Sequence, residues 1–242
     1  MPWMAPERLL RLSPSAAAKE KRLQALLDGR DGQDPRLLGI VEDAQVLGSL
    51  ELSGFAFSWA DVRRRRVGSA CPAEVEALRR ALAAVDSKAP LDLVALRAWH
   101  AAILPGAAGL RSGPREREGA PPGSPPEFIG ARLAVLAEWM GADSGRELKP
   151  LQQATLALAR IVEILPFEDG NGRVSRLAAS HLLVRGGLRP PILVRGDGPR
   201  LVACLRAAFR LELAPLEALL EEASERALDV MIQALEAEEP WS

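Results

Sequence analysis

An all-α fold is what the sequence predicts, and three observations carry that expectation. Apolar residues recur at helical spacing along nearly the whole chain, while strand-type alternation is almost absent. Ala, Leu, Arg and Glu, all good helix formers, dominate the composition, and Tyr does not occur. Pro or Gly stands at a boundary of most periodic segments, where helices start and stop.

Taken in order, residues 1–34 read as a weakly ordered N-terminal segment. From 35 a stripe of Leu37, Leu38, Ile40, Val41, Ala44 and Leu47 marks a helix that runs on through Ser49 and Ser53 until Gly54 stops it. Ser58, with Asp61 three residues on, opens the next helix in a near capping-box arrangement. Further helices are expected over 72–85, 91–104, 126–140, 149–164, 171–185, 198–209 and 215–235. One long loop, 106–126, is rich in Gly and Pro and carries Arg111, Arg115 and Arg117; loops longer than ~12–15 residues in a compact domain are often functional. This gives one domain over 35–198, with the helices of 199–242 packed on it.

Composition excludes several classes of function. The chain has 242 residues, 48% hydrophobic and 26% charged, with a formal net charge of −1. That is enough for a core without staples and describes neither a disordered chain nor a polycation. Charge interrupts every apolar run well before the ~18 residues a membrane span needs, so no membrane partner is expected. Residues 1–11 place Pro and Glu where an export signal would have an apolar block, so a cytoplasmic protein is expected. Cys71 and Cys204 are too few for a disulfide scaffold or a structural zinc site. The run Arg63–Arg66 reads as a solvated helix face, and no nucleic-acid partner is expected from it.

The chemistry concentrates in the stretch from Leu165 to Arg176, LPFEDGNGRVSR. Asn occurs once in the chain, as Asn171, between Gly170 and Gly172, which implies that this side chain is needed there. Glycines let the backbone approach a ligand, and a helix opening here offers free N–H groups and a positive partial charge. Arg173 and Arg176, three apart, project from the first helical turns and suit a polyphosphate. Asp169, just before them, is placed to hold Mg²⁺ against the phosphates. A bare G-N-G-R is equally the mark of an ordinary helix cap with Asp169 paired to an arginine.

The longer stretch resembles the signature of Fic (Fido) domains, H-x-F-x-[DE]-G-N-G-R-x-x-R, and matches it at every defined position except the first. Leu96 to His100, Gly109-Leu110-Arg111 and Pro125-Pro126 fall in the order that family shows, and the resemblance covers roughly 35–198. It implies a helical fold with an N-terminal inhibitory-type helix and a short flap loop. It also implies transfer of the AMP moiety of ATP, or a related nucleotide, to a hydroxyl of a target protein. On that resemblance Gly170, Asn171, Gly172, Arg173 and Arg176 bind the nucleotide, Asp169 binds Mg²⁺, and the 112–124 loop aligns the target.

Three departures qualify the resemblance. Leu165 stands where the family has its general-base histidine, and a leucine has no lone pair to offer. Neither His100 nor His181 is placed to substitute, and both read as core residues. The inhibitory-helix pattern S/T-x-x-x-E-[GN] is present as Ser49, Ser53 and Gly54, with Ser53 in place of the glutamate that pairs with the second motif arginine. The 112–124 loop lacks the β-branched residues of a regular hairpin. Three readings follow: a nucleotide-binding protein impaired in catalysis, an active transferase of non-standard mechanism, and a non-enzymatic interaction module.

Overall fold

A computed structural model describes residues 13–28, 35–64, 68–86, 88–107, 109–116 and 121–237, and every regular element among them is helical. The centre is a helical hairpin. Helix α8 (Pro150–Ile164) and helix α9 (Asn171–Arg185) are joined by a turn over 165–170 and pack along their length. Ala154, Ala157, Leu158 and Ile161 of α8 face Val174, Ala178, Leu182 and Leu183 of α9, all buried, and the alanines let the two backbones approach. At the far end a Cβ on Gly186 would lie 2.2 Å from the Cβ of Pro150, so the hairpin closes on a residue without a side chain.

The other helices dress this hairpin. Helix α5 (Leu93–Ile103) packs on α9 and on α4 (Ala73–Ala83), and α6 (Pro126–Gly141) covers α8 before the single turn of α7 (Asp143–Arg146). Helix α2 (Pro35–Glu51) crosses the face formed by α4, α9, the short α3 (Trp59–Arg63) and the long C-terminal α11 (Ala214–Glu236), against which α10 (Gly198–Ala208) also rests. Trp99, Phe167, Leu50, Leu78, Ile129 and Leu158 fill the shared core. The capping box expected at Ser58 and Asp61 is formed, in both directions. A buried ion pair between Asp43 and Arg79, with Arg79 also donating to the carbonyl of Val62, ties α2, α3 and α4 together. No helix among the described residues is long and apolar enough to cross a membrane.

Two expectations need correction. Residues 14–28 of the segment read as weakly ordered form helix α1 (Pro14–Asp28). Ala16, Glu20, Leu23 and Leu27 recur on one face, and the three apolar ones join Leu228, Met231, Ile232 and Leu235 of α11 in a second apolar cluster. Lys19 bonds Asp229 at 2.8 Å, Arg22 bonds Glu236 at 2.6 Å, and buried Glu20 pairs with Arg189. The partner surface lies some two hundred residues away, which is why local composition does not announce it. Residues 1–12 and 29–34, Arg65 and Arg66 of the arginine run, and 117–120 of the long loop lie outside the described residues. The second correction concerns α2: Leu38 is exposed, and the buried face is Leu37, Ile40, Val41, Ala44, Val46 and Leu50.

Gly48 fixes how deeply α2 sits. A Cβ there would lie 1.7 Å from the carbonyl oxygen of Leu193, a contact that only movement of α2 or of the 191–194 segment can relieve. Gly48→Ala is therefore expected to destabilise the protein by about 1–3 kcal/mol through overpacking, despite alanine's better helix propensity. Urea unfolding followed by circular dichroism measures it, and a gain in stability refutes the packing argument.

Candidate nucleotide-binding site

The turn between α8 and α9 is shaped by backbone conformation first. Leu165 ends α8 in the left-handed region (φ 50, ψ 65), and Gly170 begins α9 at φ 78 with no side-chain cap. A glycine takes that conformation freely; a leucine held there costs about 1–2 kcal/mol. Asn171 then locks the turn. Its side-chain oxygen accepts from the Phe167 N–H at 2.9 Å, and its amide nitrogen donates to the Phe167 carbonyl at 2.7 Å. The sequence assigned Asn171 to the ligand. Its side chain is instead committed to the loop, and what it can offer a ligand is its backbone N–H. The Val174 N–H bonds the Gly170 carbonyl, so the N–H groups of Asn171, Gly172 and Arg173 are the free donors of the helix start.

Beneath the turn lies His100. Its ring stacks on Phe167 at 3.8 Å between centroids, and Nε2 lies 3.1 Å from the Asp169 carbonyl. Burial pushes its pKa below the ordinary histidine value, with the Arg173 charge acting in the same direction, so the neutral ring is favoured. A Cβ on Gly170 would meet Leu104 at 3.2 Å and His100 at 3.4 Å. His100 is core, as its position suggested, but the core it forms is the floor of this turn. His181, also buried and depressed in pKa by that burial, packs near Trp99 and takes no part in it.

Above the turn sits the long loop, fastened by Arg111. Its side chain is buried and donates to four carbonyls: Leu165 at 2.6 Å, Ile164 at 3.4 Å, and those of Gly113 and Ser124. Its backbone N–H bonds Pro166 at 2.9 Å, and the Ser124 N–H returns to Ile164 at 3.1 Å. Burial lowers the pKa of this guanidinium, which no carboxylate pairs with among the described residues. Across the described parts of the loop the Gly123 N–H reaches the Arg115 carbonyl at 2.8 Å. Gly123 faces Leu165 so closely that a Cβ on it would lie 3.1 Å from that of Leu165, whose residue is 7% exposed.

The two arginines of α9 border the helix start. Arg173, 4% exposed, bonds the open Asp169 carboxylate at 3.3 Å and lies 5.7 Å from the ring centroid of Phe55. Burial lowers its pKa, and Asp169 opposes the shift. Arg176 meets the end of α2: Nε donates to Ser49 Oγ at 2.9 Å, and Nη2 to the Ser49 carbonyl at 2.7 Å and to Ser53 Oγ at 2.8 Å. The sequence matched Ser49, Ser53 and Gly54 to the inhibitory-helix pattern, with Ser53 where a glutamate would pair with the second motif arginine; here both serines bond Arg176. Gly54 (φ 90) turns the chain away after α2. Burial, with Arg173 nearby, lowers Arg176 to about 9.

Leu165, Asp169, Gly170, Asn171, Gly172, Arg173, Arg176, Ser49 and Ser53 thus share one locality. Phe55, the place of His100 in the floor of the turn and the anchoring role of Arg111 were not read from the sequence. A polar residue on the buried face of an apolar helix is the signal that would have singled out His100.

Asn171→Asp tests the lock. The aspartate keeps the acceptor for the Phe167 N–H but turns a second acceptor toward the Phe167 carbonyl. A loss of about 1–3 kcal/mol is expected in chemical unfolding; unchanged stability would show that the turn does not depend on this amide.

Residues 90–183 match the model of the Fic/DOC family. The protein adenylyltransferases Fic of Drosophila willistoni and Culex quinquefasciatus are each 31% identical over 114 residues, 47% of this chain and 22% of the relative. The matched stretch is therefore about a fifth of those relatives' length. A Fic domain containing signaling protein from Bacteroides thetaiotaomicron shares the fold with a TM-score of 0.78 at 20% identity, over 93% of this chain and 98% of that one. Fic-1 from C. elegans does so with a TM-score of 0.74 at 22% identity, over 93% and 74%. Helices α5 and α8, the turn after α8 and all but the last two residues of α9 lie within the stretch that matches the Fic/DOC family model.

Proposed function

We propose that this protein binds ATP or a related nucleotide, with Mg²⁺, at the start of α9, and that it is impaired in AMP transfer because Leu165 holds the position of the base. The observation that carries the reading is an uncapped helix start bordered by two arginines that burial has desolvated. A buried cation that lacks a full counter-charge is costly, and a polyphosphate offsets that cost. Relatives named protein adenylyltransferase support the nucleotide class.

The residues fit Mg²⁺ brought with a nucleotide and do not fit a resident ion. Among the described residues no three His, Cys, Asp or Glu side chains cluster, and Asp169 is the open carboxylate at the edge of the turn. One carboxylate plus phosphate oxygens is an ordinary magnesium environment, and the ion would neutralise phosphate charge there. Asp169 and Arg173 then share the ligand, the N–H groups of Asn171 and Gly172 donate to phosphate oxygens, and Phe55 holds the Arg173 guanidinium in place. The 112–124 loop, fastened over Leu165 by Arg111, is the place for a protein target.

Titration calorimetry with ATP and Mg²⁺ is expected to show binding, weakened by chelating the metal. Arg173→Ala should weaken it about 10- to 100-fold, the value of one charge-assisted contact. Absence of binding by the parent protein overturns the reading.

Restoring the base tests the catalytic half. Loss of a general base costs about 10²–10⁴-fold in the chemical step, so Leu165→His is expected to create or raise AMP transfer by about that factor. Histidine also enters the left-handed region more readily than leucine, which favours the swap, although burying its ring costs about 1–3 kcal/mol. Labelled ATP and self-modification read the activity. A folded, nucleotide-binding Leu165→His protein that transfers nothing moves the defect from the base to the closed 112–124 loop.

A further inference from the structure

We infer that Ser49 and Ser53 are positioning residues that hold the Arg176 guanidinium aimed at the phosphate-binding turn with its charge uncompensated, and that they do not latch it shut; the inference rests on the nucleotide reading above. The geometry divides the guanidinium in two. Nε and Nη2 form the edge bound by α2, through Ser49 Oγ at 2.9 Å, the Ser49 carbonyl at 2.7 Å and Ser53 Oγ at 2.8 Å. Nη1 bonds nothing among the described residues and lies over Gly172, where a Cβ would approach it to 3.1 Å. The free end of the fork therefore faces the glycine of the turn.

The Ser53 hydroxyl is itself oriented. It donates to the Ser49 carbonyl at 2.9 Å, so its proton is spent and a lone pair is left for Arg176. All three acceptors are neutral. They fix the direction of the guanidinium without cancelling its charge, whereas a glutamate at 53, as in the inhibitory-helix pattern, would form an ion pair and remove the charge from the ligand's reach. The element that carries the serines is rigid: Gly48 seats α2 against the Leu193 carbonyl, and Gln45 bonds Ser180 of α9 at 3.1 Å. An incoming phosphate meets a donor whose rotamers are already chosen, and the ordering cost of a long side chain is spared.

Positioning and latching predict opposite signs. For positioning, Ser53→Ala and the Ser49→Ala/Ser53→Ala pair bind ATP with Mg²⁺ about two- to tenfold more weakly than the parent. Ser53→Thr, which keeps the hydroxyl, recovers the loss, and Ser53→Glu weakens binding beyond the alanine variants. In the ¹⁵N-labelled protein without nucleotide, the Arg176 Nε–H signal is sharp in the parent and broadened in the alanine pair, a change that a general loss of stability does not produce. Tighter or unchanged ATP binding in the alanine variants overturns the inference while leaving the nucleotide reading in place, as does an unaltered Arg176 signal. A parent protein that binds no ATP overturns both.

Discussion

Between α8 and α9 the chain reverses in six residues, and the Asn171 amide holds that reversal by clamping both polar groups of the Phe167 backbone. Most of the candidate site depends on this clamp. It seats Phe167 on His100 and sets Gly170 against Leu104 and His100, leaving the first N–H groups of α9 without a cap. A buried backbone polar group left unpaired costs as much as a lost hydrogen bond, and a six-residue reversal cannot pair its own without such a side chain. The side chain of the chain's one asparagine is therefore a structural requirement of the site.

Three buried or half-buried arginines surround the turn, and their partners assign them different work. Arg111 gives four of its five N–H donors to carbonyl oxygens and joins the loop to the end of α8. Arg173 has one weakly held carboxylate and an aromatic face. Arg176 has neutral oxygens on one edge only. Carbonyls solvate a guanidinium without neutralising it, so the region keeps a positive potential that a wholly ion-paired cluster would lose. Among the described residues, the open Asp169 carboxylate is the negative group that pairs with this set, through Arg173.

The helical fold was legible in the sequence because it rests on local periodicity, and the motif because its residues are contiguous and rare in this composition. What stayed hidden was carried by distant contacts. Helix α1 is stable through α11, about two hundred residues downstream, and nothing in its own charged composition shows that surface. Arg111 looked like one of three loop arginines until its carbonyl partners at 164 and 165 appeared. Phe55 looked like a residue just past a helix end, yet it lies under Arg173. Gly48 reads as a weakness within a helix, and only the carbonyl of Leu193 explains it. The Ser49–Ser53 spacing marked the end of α2 as the inhibitory-helix position, but sequence could not show that its oxygens bond one edge of Arg176.

Leu165 is the position where geometry and chemistry part. A leucine at φ 50 is disfavoured, and an unconstrained helix end would place a glycine or asparagine there. The conformation persists because its surroundings over-determine it: the Leu165 carbonyl accepts from Arg111, its N–H bonds Ile161 at 3.0 Å, and its side chain packs beneath Gly123. These contacts involve the backbone and an apolar surface, so they tolerate any side chain that fits the space. They keep the turn in the shape that presents the start of α9 whether or not residue 165 can accept a proton. In the function proposed above, anion binding rests on that shape and on Arg173 and Arg176, and proton transfer rests on residue 165. On that proposal the two can separate, and keeping the first while losing the second needs no rearrangement beyond the side chain itself.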